Sequence, residues 1–144
     1  MKQLLVVLLV ILALALVACS AGGGDVDDPQ EVVITATDIA FDTARIEVVA
    51  NRPVALTLHN EGALEHDFSI MHIPMDIAHT PEEDDGGHDM SAMEEMPELH
   101  MAVMPGASNA MTFTPTEPGE YSYFCTVPGH KDAGMGGTLV VTAP

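Results

Sequence analysis

The sequence is poor in positive charge. Its 144 residues include only 4 lysines and arginines against 22 aspartates and glutamates, which gives a formal net charge of −18 at pH 7. So few cations cannot neutralise the phosphates of a nucleic acid or attract the protein to an anionic membrane surface. The composition therefore argues against nucleic acid as a partner and favours a protein with a basic surface.

Cysteine is also scarce, because the chain has only Cys19 and Cys125. Two cysteines are too few for a disulfide framework. If Cys19 is modified, Cys125 is a lone thiol, and an unpaired thiol outside the cytoplasm needs a reason to persist. Metal binding is one such reason.

A long apolar run occurs only in the first 18 residues. Lys2 precedes an almost continuous apolar stretch from Leu4 to Val17, which is shorter than the roughly 20 residues that a membrane-spanning helix needs. Residues 1–18 are therefore predicted to be a signal peptide for export. The sequence Leu-Val-Ala-Cys that ends at Cys19 resembles the bacterial lipoprotein box, which implies lipidation of Cys19; an ordinary secretory signal is the alternative. Loss of Lys2 would take the formal charge from −18 to −19.

The rest of the chain is predicted to be one tethered domain. Residues 19–30 are rich in glycine, aspartate and proline and lack apolar periodicity, so they are predicted to be a flexible tether. From residue 31 to residue 144 the pattern changes to short β-branched segments. The 126 residues that remain of 144 after residue 18 have room for a single domain.

Two-residue alternation of apolar and polar side chains predicts seven short strands and no strong amphipathic helix. Turn signals such as Pro105-Gly106 and Pro118-Gly119 separate the strands. This pattern predicts an all-β fold, an antiparallel β-sandwich. The predicted strands lie at residues 32–36, 45–49, 54–59, 66–73, 110–114, 120–125 and 138–142.

Residues 74–104 do not fit the strand pattern and are predicted to be a long insertion between two strands. The segment is acidic and rich in methionine and histidine. Three interpretations remain open. Met90, Met93 and Met96 would lie along one side of a short helix that covers the core. Alternatively, the segment would collect copper through its thioethers and imidazoles or serve in docking, or its enrichment in these residues is due to chance.

Three residues whose side chains bind copper in other proteins follow one predicted strand at regular spacing. Cys125, His130 and Met135 are each separated by four residues. A thiolate and imidazoles with a weak thioether above them suit copper that cycles between Cu(II) and Cu(I). His66 is the best candidate for a fourth ligand, because alternation places its side chain on the inward face that Cys125 shares on its own strand.

These motifs resemble the cupredoxin family of blue copper proteins, in particular azurin, plastocyanin and the lipoprotein-type auracyanins. The resemblance lies in the Cys-x4-His-x4-Met loop, in the Tyr-x-Tyr-x-Cys strand that ends at Cys125, and in the Asn-x-Gly turn at residues 60–62. It covers about residues 32–142 and implies a Greek-key β-sandwich with one type 1 copper ion. The implied ligands are Nδ1 of His66, the thiolate of Cys125, Nδ1 of His130 and an axial Met135.

Asp67 departs from the family pattern, which often has asparagine after the first histidine ligand. An ionised carboxylate accepts hydrogen bonds from the Thr126 hydroxyl or backbone but cannot donate one. The groups that support the ligands are therefore expected to differ from those of the family, and with them the redox potential.

The same resemblance implies a role for the surface near the ligands. Electrons are expected to pass through the ring edge of His130, among apolar neighbours such as Ala63 and Leu64. Phe124 points to the opposite face from Cys125. There it either contacts a partner or packs under a loop.

The predicted function is the transfer of single electrons between redox proteins outside the cytoplasm. The protein is expected to be a monomer that meets the membrane only through its lipid. A copper chaperone or storage protein that uses residues 74–104 is the alternative. Enzyme activity is not expected, because multicopper oxidases and nitrite reductases need further clustered histidines, and this chain has no His-x-His pair.

Overall fold

The computed structural model of the protein describes residues 28–79, 91 and 93–144. The predicted signal peptide, the predicted lipidation site Cys19 and most of the predicted tether lie outside the described residues. Gln30, the last residue of the predicted tether, already belongs to the first strand.

The described residues form ten strands, and none of them lies in a helix. The strands are β1 Gln30–Thr37, β2 Ala40–Phe41, β3 Arg45–Val49, β4 Val54–Asn60, β5 His66–Ile70, β6 Met75–His79, β7 Leu99–Val103, β8 Ser108–Pro115, β9 Gly119–Phe124 and β10 Gly136–Thr142. Two five-stranded sheets result, in the orders β2-β1-β4-β8-β6 and β3-β10-β9-β5-β7. The predicted all-β sandwich is confirmed, and each predicted strand overlaps an observed one.

Two strand pairs run parallel, although the sequence predicted an antiparallel sandwich. β1 pairs with β4 from Gln30 opposite Val54 to Ala36 opposite Asn60, and β10 pairs in the same sense with β3. Between these partners the chain crosses to the other sheet and returns, so that strands distant in sequence become neighbours. Alternation of apolar residues predicts strands but carries no information about which strands pair.

The core lies between the two sheets and is built by alternating side chains. In β4, Val54, Leu56 and Leu58 are buried while the residues between them are half-buried. On the inner face of the other sheet, Phe68 stacks on Tyr123 with their ring centroids 4.8 Å apart. Burial of such large apolar side chains is the main source of stability in a fold of this kind.

The segment 74–104 begins and ends with strands of the sandwich, so its assignment as a single insertion was wrong at both ends. β6 pairs with β8 at the edge of one sheet, and β7 pairs with β5 at the edge of the other. In β7, Leu99, Met101 and Val103 are buried in the core. Methionine serves both as a core side chain and as a copper ligand, so composition alone did not distinguish the two.

The residues just before β7 are irregular. Residues 93–98 have no regular secondary structure, so the short helix that was predicted around Met93 and Met96 is absent from its described part. Met90 lies outside the described residues. Met96 is 57% exposed and does not cover the core. Within the described part of the chain, no helix has the length and hydropathy needed to cross a membrane.

Gly137 is predicted to be essential for the packing of β10 against Tyr123. A Cβ at this position would overlap the Tyr123 hydroxyl and lie 2.6 Å from the carbonyl oxygen of Ala44. Because both neighbours are held in place, Gly137→Ala should lower the free energy of unfolding by about 2–3 kcal/mol. Urea denaturation of the two proteins measures this difference.

The Tyr123→Phe background provides the control. That substitution removes the hydroxyl, which donates a hydrogen bond to the Thr43 carbonyl, and so relieves part of the overlap. The cost of Gly137→Ala should therefore be smaller in this background. An equal cost in both backgrounds would show that the Tyr123 hydroxyl is not the group that Gly137 accommodates.

Candidate metal centre

Three of the predicted ligands meet in one buried cluster. Sγ of Cys125 lies 3.9 Å from Nδ1 of His66 and 3.4 Å from Nδ1 of His130. The donor atoms of the three residues all lie within 4.8 Å of one another. His66 and Cys125 have no exposed surface, and His130 is only 5% exposed. One thiolate and two imidazoles at this spacing fit a copper ion.

The loop of residues 125–135, which follows β9 and is called the ligand loop, has its two ends joined by backbone hydrogen bonds. The amide of Met135 donates to the carbonyl of His130 at 3.0 Å, and the amide of Cys125 donates to the carbonyl of Met135 at 3.2 Å. Inside the loop, the amide of His130 donates to the Val127 carbonyl at 3.0 Å. Met135 is fully buried. These bonds place Met135 beside both Cys125 and His130.

Asp67 ties the strand that carries His66 to the loop that carries Cys125. The backbone amide of Thr126 donates to both carboxylate oxygens, at 2.9 and 3.0 Å, and the Thr126 hydroxyl donates to Oδ2 at 2.8 Å. This matches the expectation that Asp67 accepts from Thr126. The hydroxyl of Ser69 donates to Oδ1 at 2.7 Å. Because strand alternation predicts an outward direction for Asp67 and Ser69, their full burial was not expected.

Asn60 holds the turn that leads to His66. Its side-chain oxygen accepts from the Gly62 amide at 2.9 Å, and its nitrogen donates to the carbonyls of Leu64 at 2.7 Å and Val103 at 3.0 Å. Asn60 is 2% exposed, so these partners replace water that cannot reach it. The loop before β5 and the end of β7 are thereby fixed relative to each other.

Packing against Gly62 positions the ring of His66. The contact is at Nε2, the ring nitrogen that faces away from Cys125. Nε2 is buried and has no hydrogen-bond partner among the described residues. A Cβ on Gly62 would lie 3.0 Å from this nitrogen. Glycine at position 62 therefore allows the turn to approach the ring closely.

Burial also controls the protonation of the cluster. Burial, and after it the charge of Asp67, raises the pKa of the Cys125 thiol to about 12. Burial, and after it the neighbouring His130, lowers the pKa of His66 below its usual value of 6.5. The metal-free centre at neutral pH thus holds a protonated thiol and a neutral His66 imidazole, so metal binding must release the thiol proton.

Other residues singled out in the sequence lie around the cluster. Leu64 is 52% exposed and Ala63 is exposed in the loop before His66. Phe124 is buried, and the Lys131 ammonium lies 3.9 Å from the centre of its ring. The ring was predicted either to contact a partner or to pack under a loop, and the structure shows it packed. Lys131 covers it by a cation–π contact.

A cleft that sequence reasoning did not identify lies on the Phe124 side of Cys125. It has a volume of about 490 Å³, and its walls include Met71, Met93, Phe124 and Cys125. Met71 and Met93 are far apart in sequence and share no spacing pattern, so only the tertiary structure reveals that they meet. His72 lies outside this cleft, where its ring nitrogens are each 3.6 Å from a carboxylate, of Glu95 and of Glu98.

Comparison with known proteins places these features in a family. The sequence model of the family described as a cupredoxin-like domain matches residues 6–141. The copper-resistant cuproprotein CopI of Rubrivivax gelatinosus is 30% identical over 126 residues, which cover 82% of this chain and 70% of CopI. CopI of Pseudomonas aeruginosa is 28% identical over 137 residues, which cover 78% of this chain and 76% of that protein.

Among solved structures, auracyanins have the same fold. The dithionite-reduced auracyanin of Roseiflexus castenholzii superimposes with a TM-score of 0.61 at 23% identity. The match covers 80% of this chain and 99% of the auracyanin.

The hydrogen bonds of Asn60 are expected to stabilise the fold. Asn60→Ala leaves the Gly62 amide and the carbonyls of Leu64 and Val103 without their partner, and should lower the free energy of unfolding by about 2–4 kcal/mol. Asn109→Ala is a suitable control, because its side chain is only half-buried and donates to one distant carbonyl, of Ala102. Chemical denaturation of the metal-free proteins should show a clearly smaller loss for the control, and equal losses would contradict this role.

The raised pKa of Cys125 predicts how the metal-free protein responds to alkali. The thiol pKa is higher in the folded protein, at about 12, than its ordinary value of 9.0. The associated stability is fully present below pH 9 and is lost as the pH rises toward 12. The free energy of unfolding should be measured at pH 8 and pH 11 for two proteins, Cys19→Ser and the double variant Cys19→Ser/Cys125→Ser. The decrease between these two pH values should be larger in Cys19→Ser, which retains the Cys125 thiol. Parallel curves for the two proteins would argue against a buried neutral thiol.

Proposed function

The chain belongs to the cupredoxin-like domain family, and from this premise we propose that it transfers single electrons through one type 1 copper ion. The cluster of His66, Cys125 and His130 carries the proposal, because it gathers a thiol and two imidazoles in a site closed to water. Met135 is proposed as the axial ligand, since it ends the same loop. The protein is proposed to be a carrier and not an enzyme.

Copper, when bound, supplies the couple between Cu(II) and Cu(I). The part of the protein in this proposal is to hold the ligands in one arrangement before and after the electron arrives. Asp67 binds the loop of Cys125, and Asn60 holds the turn before His66. Both side chains are buried, so water has little access to their hydrogen bonds and the ligands keep their positions.

The electron is proposed to enter and leave through His130. His130 is the one histidine of the cluster with any exposed surface. Exposed apolar residues lie in the two loops next to this end of the sandwich, Leu64 in one and Met104 in the other. Both loops are bound to Asn60, through the carbonyl of Leu64 and through backbone bonds to residues 106 and 107. This apolar surface would bring a partner close to His130.

The proposed setting is the outer face of a cell membrane, with a lipid on Cys19 as the only membrane contact. The formal charge of −18 favours a redox partner with a basic surface. A monomer is sufficient for this role. The signal-like residues 1–18 support export.

Copper handling is the second candidate function. Both relatives named CopI are described as copper-resistant cuproproteins. Met71 and Met93 line the cleft that reaches Cys125, and thioethers bind Cu(I). In this candidate the cleft delivers copper to the buried site or removes it.

A copper titration tests the proposal and separates the two functions. With Cu(II) added to the chain that lacks residues 1–18, an intense visible absorption band should saturate at one copper per chain and bleach on reduction. Cys125→Ser should abolish the band because it removes the thiolate. His59→Gln should retain it, because His59 lies outside the cluster and its side chain pairs with Ser108.

Other outcomes would contradict an electron carrier. Binding of several copper ions with no thiolate band would exclude the four-ligand site. A thiolate band together with further Cu(I) ions that are lost in Met71→Leu and Met93→Leu would favour copper handling.

A further inference from the structure

The side chain of Asp67 is unusual because it is a carboxylate with no exposed surface. Its Oδ2 lies 3.6 Å from Sγ of Cys125, inside the distance at which two charges interact strongly in a protein interior. A carboxylate in this place puts a full negative charge beside the thiolate that would hold copper.

The Asp67 carboxylate is surrounded by hydrogen-bond donors. Thr126 supplies two donors and Ser69 supplies one, and all three point at carboxylate oxygens. Ser69 in turn lies 2.9 Å from Nδ1 of His100, a ring at 3.9 Å from Oδ1 of Asp67. The His100 side chain is 27% exposed. Hydrogen-bond donors from two strands thus hold the carboxylate beside the metal cluster.

We propose that the fixed negative charge of Asp67 sets the redox balance of the copper centre by favouring Cu(II) over Cu(I). The inference rests on the proposed function, since it requires copper at His66 and Cys125. Cu(II) carries one more positive charge than Cu(I), so a nearby negative charge stabilises it more. Ser69 acts as a positioning residue, because its hydroxyl holds Asp67 and partly neutralises its charge.

Two substitutions separate this electrostatic role from a purely structural one. Asp67→Asn removes the charge but keeps the shape and an acceptor for the Thr126 amide. Ser69→Ala keeps the charge and removes one of its donors. The two changes should therefore shift the redox balance in opposite directions, whereas a general loosening of the ligand loop would shift it in one direction.

The experiment is a redox titration of the copper-loaded chain, read at the visible band. Asp67→Asn should shift the ratio of the Cu(I) and Cu(II) affinities toward Cu(I) by about tenfold or more, which raises the potential by about 59 mV for one electron. Ser69→Ala should produce a smaller shift toward Cu(II), of about two- to fivefold. Glu31→Gln is the matched control, because Glu31 is exposed and lies in β1 at the end opposite Asn60. It removes the same charge and should change the ratio less than twofold.

Each outcome bears on the inference. An unchanged potential in Asp67→Asn with an intact band would overturn it, as would shifts of the same sign in both variants. If Asp67→Asn does not fold, a Ser69→Ala potential that is not lowered is sufficient to overturn it. Absence of the thiolate band from the parent protein would overturn the proposed function as well, so the two failures are distinguishable.

Discussion

The geometry of the candidate metal centre depends on the contact between Asp67 and Thr126. β5 and β9 pair at only two positions, Ser69 opposite Phe124 and Ile70 opposite Tyr123, and beyond them the ladder stops. Continued in the same register, Asp67 would lie opposite Thr126. There the Asp67 side chain, rather than a backbone carbonyl, accepts the Thr126 amide. The two strands can therefore separate at this point. The candidate ligands His66 and Cys125 meet in the space between them.

How much the sequence predicts depends on how local each feature is. The loop from Cys125 to Met135 is local, and its spacing predicted that these side chains lie together. The position of His66 required only the alternation within one strand. The parallel pairs of β1 with β4 and of β3 with β10 depend on the path of the chain between the sheets, which no short pattern records. The burial of Asp67 likewise depends on residues far away in sequence.

Methionine illustrates the limit of composition as a guide. Met101 and Met111 are buried in the core of the sandwich. Met71 and Met93 line the cleft beside Cys125, and Met96 is exposed. The same flexible thioether suits all three settings, because it packs as a hydrophobic group and also binds soft metal ions. Only the fold separates the methionines that stabilise the sandwich from those that line the cleft.

X-ray absorption spectroscopy of the copper-loaded protein, oxidised and then reduced, tests the central claim most directly. The claim is that the hydrogen bonds of Asp67 and Asn60 hold the ligands in one arrangement whichever state the copper is in. The same sulfur and two imidazole ligands are expected in both spectra, with little change in their distances from copper. Loss of a histidine ligand on reduction, or its replacement by further thioethers, would contradict it and would favour a protein that takes up and releases copper.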